Sequence, residues 1–295
     1  MSIQWYPGHM TKARRDLAEA MPAQDVVIEV LDARMPGASE NPVVRELRRH
    51  KPCIKVLAKS DLADGNATRA WITHFESQRP WDFAGLEGGK VVAIGLSATR
   101  PGEARAKLPE LCKLLAPHRA GKTVRVLIVG IPNVGKSTLV NTLMERKVAK
   151  VGDEPAVTKA QQRVVAKNGM AFSDSPGIMW PKIDDESAAL RLALGGAIPD
   201  SAIDYVTVGM FAAGLFLELC PAVMISRYKL KSTPASAEDL LLEIGRRRGG
   251  LKAGGVVDMH KAADVLIHDY RSGALGRITL ELPPPAMASA VKPSS

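Results

Sequence analysis

A chain of 295 residues with 40 Lys and Arg against 31 Asp and Glu carries a net charge of +9, and 46% of it is hydrophobic. It is long enough for two domains and apolar enough for buried cores, which excludes a disordered or fibrous chain. Its three cysteines, Cys53, Cys112 and Cys220, lie far apart in apolar runs; this excludes a disulfide framework and a cysteine metal site and predicts buried free thiols in a reducing, cytoplasmic setting.

In chain order, residues 11–20 carry both signs of charge rather than an apolar run. No signal peptide is expected there, and the first domain starts too near Met1 for a transit peptide. Apolar runs at 26–31, 54–58, 91–96 and 124–129 alternate with helix-forming stretches, which predicts a mostly parallel sheet with helices on both faces. Residues 162–167 and 170–173 predict a hairpin. After Trp180-Pro181 the pattern turns helical at 185–194, 201–220, 237–246 and 260–270, which predicts a small all-helical bundle beside the sheet. Residues 206–225 approach membrane-spanning length, but Glu218 and Pro221 interrupt them and small residues fill much of the run, so a buried helix is expected. The tail 283–295 has three consecutive prolines and small polar residues and should be disordered. The expected division is 1–182, 183–282 and 283–295, with no internal repeat.

Residues 126–138, VLIVGIPNVGKST, pair a buried strand with Gly130-x-x-x-x-Gly135-Lys136-Ser137, and a helix-forming run at 139–146 follows. Glycines let the backbone approach a polyphosphate, so that successive N–H groups and the helix N-terminus face its charge. Lys136 supplies a cation for the β- and γ-phosphates and Ser137 a hydroxyl for Mg²⁺; a purely structural loop needs neither. Downstream, Asp174-Ser175-Pro176-Gly177 places an Asp where it can hold the Mg²⁺ shell and the Gly177 amide where it meets the γ-phosphate. A nucleoside triphosphate is the expected ligand.

The base is addressed by a Lys-x-Asp after an apolar strand, whose Asp accepts the N1 and N2 protons of guanine. Lys182-Ile183-Asp184 has no strand before it. Upstream, residues 54–61 (IKVLAKSD) supply the strand with Ala58, Lys59, Ser60 and Asp61, and residues 91–98 (VVAIGLSA) end in Ser97-Ala98, the turn that backs the base. The base-reading half therefore precedes the phosphate half.

This order resembles the circularly permuted GTPases, because a sheet with nearby termini can be reconnected without changing its core. WYPGHM at 5–10, VLDARMP at 30–36, GIPNVGKST, Pro155–Thr158 with Gln161-Gln162, DSPGIMWP and residues 245–258 are together similar to the ribosome biogenesis GTPase A family and its mitochondrial relatives, over about residues 3–282. The resemblance implies an α/β, circularly permuted P-loop GTPase domain followed by a helical domain that contacts RNA. It implies that GTP or GDP is held by Ala58, Lys59, Ser60, Asp61, Ser97, Ala98, Asn133, Val134, Gly135, Lys136, Ser137, Thr138 and Gly177. Mg²⁺ is expected on Ser137, Thr158 and Asp174, and K⁺ on Asn133. His9 matches the histidine that the family is thought to swing toward the γ-phosphate; Thr158, in a switch between the phosphate loop and DSPG, would bring its carbonyl toward the attacking water. With Lys136 and Gly177 these form the expected catalytic set.

Two positions depart from common GTPase patterns. The residue after Gly177 is Ile178, where many GTPases carry the glutamine that positions water; an aliphatic chain can neither donate nor accept, so slow turnover is expected from the protein alone. Ala58 replaces the usual asparagine of the base motif, which predicts weaker GTP binding while Asp61 preserves guanine selectivity.

Residues 1–182 hold 28 Lys and Arg against 18 Asp and Glu, and 183–295 hold 12 against 13. The basic excess lies on the nucleotide domain, with one further dense patch at Arg246, Arg247, Arg248 and Lys252. This bias favours a polyanion, and RNA over a membrane because no amphipathic lipid-binding stripe stands out. The resemblance points to rRNA of the large ribosomal subunit, with the protein monomeric when off it. Three readings stand at this level: a GTPase switch in late large-subunit assembly, a GTP-gated RNA-binding module with negligible turnover, and an ATP-using enzyme disfavoured by Asp61.

Overall fold

The computed structural model describes residues 8–77, 89–145, 162–166, 169–174, 179, 183 and 185–285. Six strands, β1 (Val26–Asp32), β2 (Cys53–Ala58), β3 (Val91–Gly95), β4 (Val124–Gly130), β5 (Gln162–Val165) and β6 (Met170–Asp174), form one sheet in the order β3-β2-β1-β4-β6-β5. All neighbours run parallel except β5, which closes the edge antiparallel to β6. β1 is buried at all seven positions. A strand covered on both faces by crossover helices is buried along its length and mostly apolar; here only Glu29 and Asp32 break the apolar run. At roughly 1.5–3 kcal/mol per buried aliphatic side chain, its Val, Ile and Leu residues make it the centre of the core.

Alternation along the strands separates the two faces. On one, Val26, Ile28 and Val30 join Ile54, Val126, Ile128 and Phe172 under α5 (Pro101–Leu115) and α6 (Lys136–Met144). On the other, Val27, Cys53, Leu127 and Val129 lie under α1 (Gly8–Ala20) and α3 (Pro42–Arg48), which follows the short α2 (Pro36–Ser39). Farther along this face, Leu31, Leu57 and Ala93 meet Trp71 and Phe75 of α4 (Gly65–Ser77). Glu29 and Lys55 also point into it, paired at 2.8 Å, and Lys55 makes a second 2.8 Å bond to Glu40.

Helices α7 (Glu186–Leu194), α8 (Tyr205–Leu219), α9 (Pro221–Tyr228), α10 (Ala237–Arg247) and α11 (Met259–Arg271) follow. Their starts are written in the sequence: Asp185, Asp204, Ser236 and Asp258 each accept backbone N–H bonds as N-caps, the role their short polar side chains favour. α8 packs against α10 and α11. A β-carbon on its Gly209 would lie 2.4 Å from the Ala263 β-carbon, so only glycine permits that approach. Asp269 of α11 holds α9, accepting from Arg227 at 2.6 and 2.9 Å and from the Tyr228 hydroxyl at 3.0 Å. The core is continuous from the sheet into these helices.

Three local expectations are corrected. Residues 206–225 are not one helix: α8 and α9 meet at 113°, because Pro221 has no N–H and Cys220 leaves the helical region (φ −151°, ψ 55°) to let it open a new helix. Cys220 is therefore half-buried, while Cys53 and Cys112 are buried. The helix after the phosphate loop starts at Lys136 rather than beyond it. Among the described residues no single helix is long and apolar enough to cross a membrane.

Candidate nucleotide site

β2 and β3 follow β1 on one side and β4 lies on the other, so strand order reverses between β1 and β4. Open α/β sheets receive ligands outside the carboxyl ends of the strands at such a point. The loops after β1, β2, β3 and β4 converge there and carry most of the residues singled out in the sequence.

The phosphate loop leaves β4 at Gly130, whose φ of +149° excludes other residues. A β-carbon there would also lie 2.4 Å from the Val30 carbonyl oxygen of β1, so the close strand approach itself demands glycine. Gly135 (φ +113°) caps α6, and Asn133 is also left-handed at φ 54°. These turns aim the loop and the first helical N–H groups at one place, where the helix dipole favours an anion. Lys136 is buried at 6% exposure, and its Nζ folds back to donate to the Ile131 carbonyl at 2.7 Å. Val134 is buried beneath the loop; Ser137 and Thr138 follow on the first turn of α6.

The base-reading loop stands beside it. A β-carbon on Gly135 would sit 3.9 Å from that of Ala58, so the two loops are in van der Waals reach. The Ser60 N–H donates to Leu96 O at 3.1 Å, joining Lys59, Ser60 and Asp61 to the turn after β3. That turn is fixed by Ser97, whose Oγ lies 2.7 Å from Thr99 Oγ1 and accepts the Thr99 N–H at 3.0 Å; Ala98 beside it is exposed. The expected nucleotide residues of three separate segments, 58–61, 97–98 and 133–138, are thus assembled at the carboxyl ends of the strands.

Two residues of the site were visible in the sequence only as part of a motif. Asp32, at the end of β1, is 1% exposed and accepts from Lys59 Nζ at 2.9 Å. Arg34 grips the same carboxylate with Nε at 2.9 Å and Nη2 at 2.8 Å. Burial opposes the Asp32 charge, but Arg34 and Lys59 outweigh it and hold the carboxyl well below its usual range. Burial also pushes the Lys59 ammonium down, partly offset by Asp32. A buried acid at the end of an apolar strand was the available signal.

Asn133, the expected K⁺ ligand, donates Nδ2 to Gly196 O at 3.0 Å, tying the phosphate loop to the segment after α7. Arg271 of α11 secures that segment through Leu194 O at 3.0 Å and Ala193 O at 2.8 Å. For Mg²⁺, the β4–β6 register sets Asp174 opposite Ile128, two residues before Gly130. Asp174 at the end of β6 and Ser137 on the first turn of α6 are residue types whose hard oxygens Mg²⁺ prefers. Thr158 and Gly177 lie outside the described residues. His9 is described only as backbone on the first turn of α1.

Arg246, Arg247, Arg248 and Lys252 lie apart from this site, on and after the end of α10. All four are exposed. Glu243 accepts from Arg246 at 2.9 Å and pairs with Arg247 at 3.0 Å, and Lys252 lies 3.2 Å from Asp258. Arg248 stacks over the Tyr228 ring at 5.7 Å. Four cations against two carboxylates leave the patch positive.

Residues 125–203 match the family model described as a 50S ribosome-binding GTPase. The chain is 40% identical over 292 residues to ribosome biogenesis GTPase A of Bacillus cereus, covering 96% of this chain and 95% of that protein. It is 30% identical over 308 residues to mitochondrial ribosome-associated GTPase 1 of Mus musculus, covering 94% of this chain and 90% of that one. The crystal structure of GNP-bound YlqF from T. maritima aligns with a TM-score of 0.60 at 27% identity, covering 92% of this chain and 98% of that one. A phosphate loop joined to an upstream base-reading loop, in a chain alike from end to end, leads to one assignment: the chain belongs to the ribosome biogenesis GTPase A family.

Proposed function

We propose that this GTPase binds the maturing large ribosomal subunit, hydrolyses GTP when correctly engaged, and leaves in a late step of assembly. The observation that carries this reading is the bond from Asn133 in the phosphate loop to Gly196, just after α7 in the helical region. It gives a partner on the helices a direct route to the phosphates. The near full-length likeness to a ribosome biogenesis GTPase supports the choice of partner.

Guanine is read by Asp61, with Ser97 and Ala98 behind the base. The phosphates lie on the loop amides from Asn133 to Thr138, with the Lys136 ammonium moving from Ile131 O to the β- and γ-oxygens. Mg²⁺, held by Ser137, Thr158 and Asp174, neutralises phosphate charge when bound. The Gly177 amide faces the γ-phosphate and orders the switch, which relaxes when that phosphate is lost. Ile178 cannot orient water, so His9 from α1 and a K⁺ at Asn133 complete the site only on the subunit. The cations at Arg246, Arg247, Arg248 and Lys252 exchange their carboxylate partners for rRNA phosphates, at a cost in salt sensitivity. The protein works in the cytoplasm, as a monomer when free. A GTP-gated RNA-binding module with negligible turnover is the second reading, favoured by Ile178 alone.

Sedimentation through a sucrose cushion with purified large subunits tests the partner. With a non-hydrolysable GTP analogue the protein should pellet with the particles, and with GDP it should stay above. Replacement of Arg246, Arg247 and Arg248 by Glu should weaken pelleting at every salt concentration. Absence from the pellet in both nucleotide states would reject the large subunit as partner.

A further inference from the structure

The segment after α11 packs against the base-reading loop rather than leaving the molecule. Gly273 (φ +79°) and Gly276 (φ +87°) turn the chain back, and a β-carbon on Gly273 would lie 2.7 Å from Leu62 Cδ2. Ile278 N–H then donates to Leu62 O at 3.1 Å, and Thr279 Oγ1 accepts the Asp64 N–H at 3.0 Å. Asp64 in turn caps α4 through Ala67 N–H at 2.8 Å. Leu280 N–H donates to Arg34 O at 2.7 Å. The end is clasped by Glu281, whose carbonyl accepts from Trp71 Nε1 at 3.1 Å and whose Oε1 accepts from Ala38 N–H at 2.8 Å.

Asp61 is thereby bracketed. On one side Lys59 is pinned by Asp32; on the other Leu62 and Asp64 are pinned by residues 278 and 279. The two brackets share a member, because Arg34 holds Asp32 by its guanidinium and the returning segment by its carbonyl. Arg34 also reaches α11 directly: Nη1 donates to Tyr270 O at 3.4 Å and the guanidinium lies 4.8 Å from the Tyr270 ring centre. Ala58 supplies no side-chain hydrogen bond to tie the loop from within, so its register rests on these outside ties together with the Ser60 N–H bond to Leu96 O.

We propose that Asp32, Arg34 and Thr279 are positioning residues for guanine selection, acting through the ties that hold Lys59, Leu62 and Asp64. This rests on the assignment of Asp61 to the base. A loop out of register loses the directional acceptance of the guanine N1 and N2 protons before it loses phosphate affinity. Selectivity between GDP and inosine diphosphate, which lacks the 2-amino group, reports that register. Loss of folding alone lowers both affinities together and leaves their ratio unchanged.

The test is titration of the full chain with GDP, inosine diphosphate and xanthosine diphosphate. Asp32→Asn keeps the shape and removes the charge that holds Lys59; Thr279→Val is isosteric and removes only the acceptor for Asp64. Each should weaken GDP binding about threefold to tenfold, the range for one hydrogen bond, and shrink the GDP to inosine diphosphate ratio. Thr279→Ser should restore both. Asp61→Asn should exchange preference from GDP to xanthosine diphosphate, since an amide donates where a carboxylate accepts. If Asp61→Asn exchanges preference while Asp32→Asn and Thr279→Val keep the wild-type ratio, the positioning role is rejected and the base assignment stands. If Asp61→Asn does not exchange it, the base assignment falls and the positioning role with it.

Discussion

Asn133 Nδ2 lies 3.0 Å from the carbonyl oxygen of Gly196, joining a phosphate-loop side chain to the turn that follows α7. Gly196 takes a left-handed φ of +81°, and a β-carbon there would come within 3.4 Å of Arg271 Nε. The same asparagine is the proposed K⁺ ligand, so one residue serves both the ion and the helical region. Asn133→Ala should abolish any advantage of potassium over sodium in subunit-stimulated hydrolysis. Rates measured in the two salts check this; a potassium preference that survives the substitution would remove Asn133 from that role.

Ala58 sits against Gly135, where the family's base motif usually carries asparagine. Ala58→Asn should restore a side-chain amide between the base loop and the phosphate loop. One such bond contributes about 0.5–1.5 kcal/mol, or roughly threefold to tenfold tighter GDP binding. Calorimetry on the variant measures this directly, and an unchanged dissociation constant would contradict it.

Lys55 is 3% exposed and lies between Glu29 and Glu40, each at 2.8 Å. Burial opposes its charge, but the two carboxylates outweigh that and raise its pKa. Lys55→Met removes the cation and leaves Glu29 buried without it, a change that costs about 3–5 kcal/mol in comparable pairs. Urea unfolding should show the loss as a lower midpoint with an unchanged slope.

Acid should loosen the fold from both ends of β1. At the start, Asp25 bonds Arg125 at 2.9 and 3.1 Å. Burial raises its pKa, but Arg125 and His118 outweigh that and bring it to about 2. At the other end Asp32 is depressed in the same sense by Arg34 and Lys59. A carboxyl with a lowered folded-state pKa stabilises above its unfolded value of about 3.9, and that contribution fades as pH falls through the folded value. Stability should therefore drop below about pH 4, and Asp25→Asn should make the drop shallower. A variant as acid-labile as the wild type would contradict the assignment.

How much of this was legible in the sequence depended on whether a signal was local. The strands were, because a parallel core strand needs a continuous apolar run bounded by turn residues. The site motifs were too, since each sits at the carboxyl end of such a run. The break between α8 and α9 was obscured by an apolar stretch with no polar face to reveal its period, although Pro221 marked it. Asp32 and Arg34 drew no chemical reading, because Lys59 lies 27 residues away and Tyr270 lies 236 residues from Arg34. Residues 278–282, ITLEL, alternate apolar and polar as a strand would, yet they form no strand. Their role arises from contacts with backbone more than two hundred residues earlier, such as Thr279 with Asp64.

The account stands most directly on the rate of GTP hydrolysis in potassium buffer with and without purified large ribosomal subunits. A slow rate alone, rising strongly with the subunits and falling back in His9→Ala, is the predicted result. Equal rates with and without subunits, with GTP binding intact, would contradict a subunit-triggered switch and leave a GTP-gated binding module in its place.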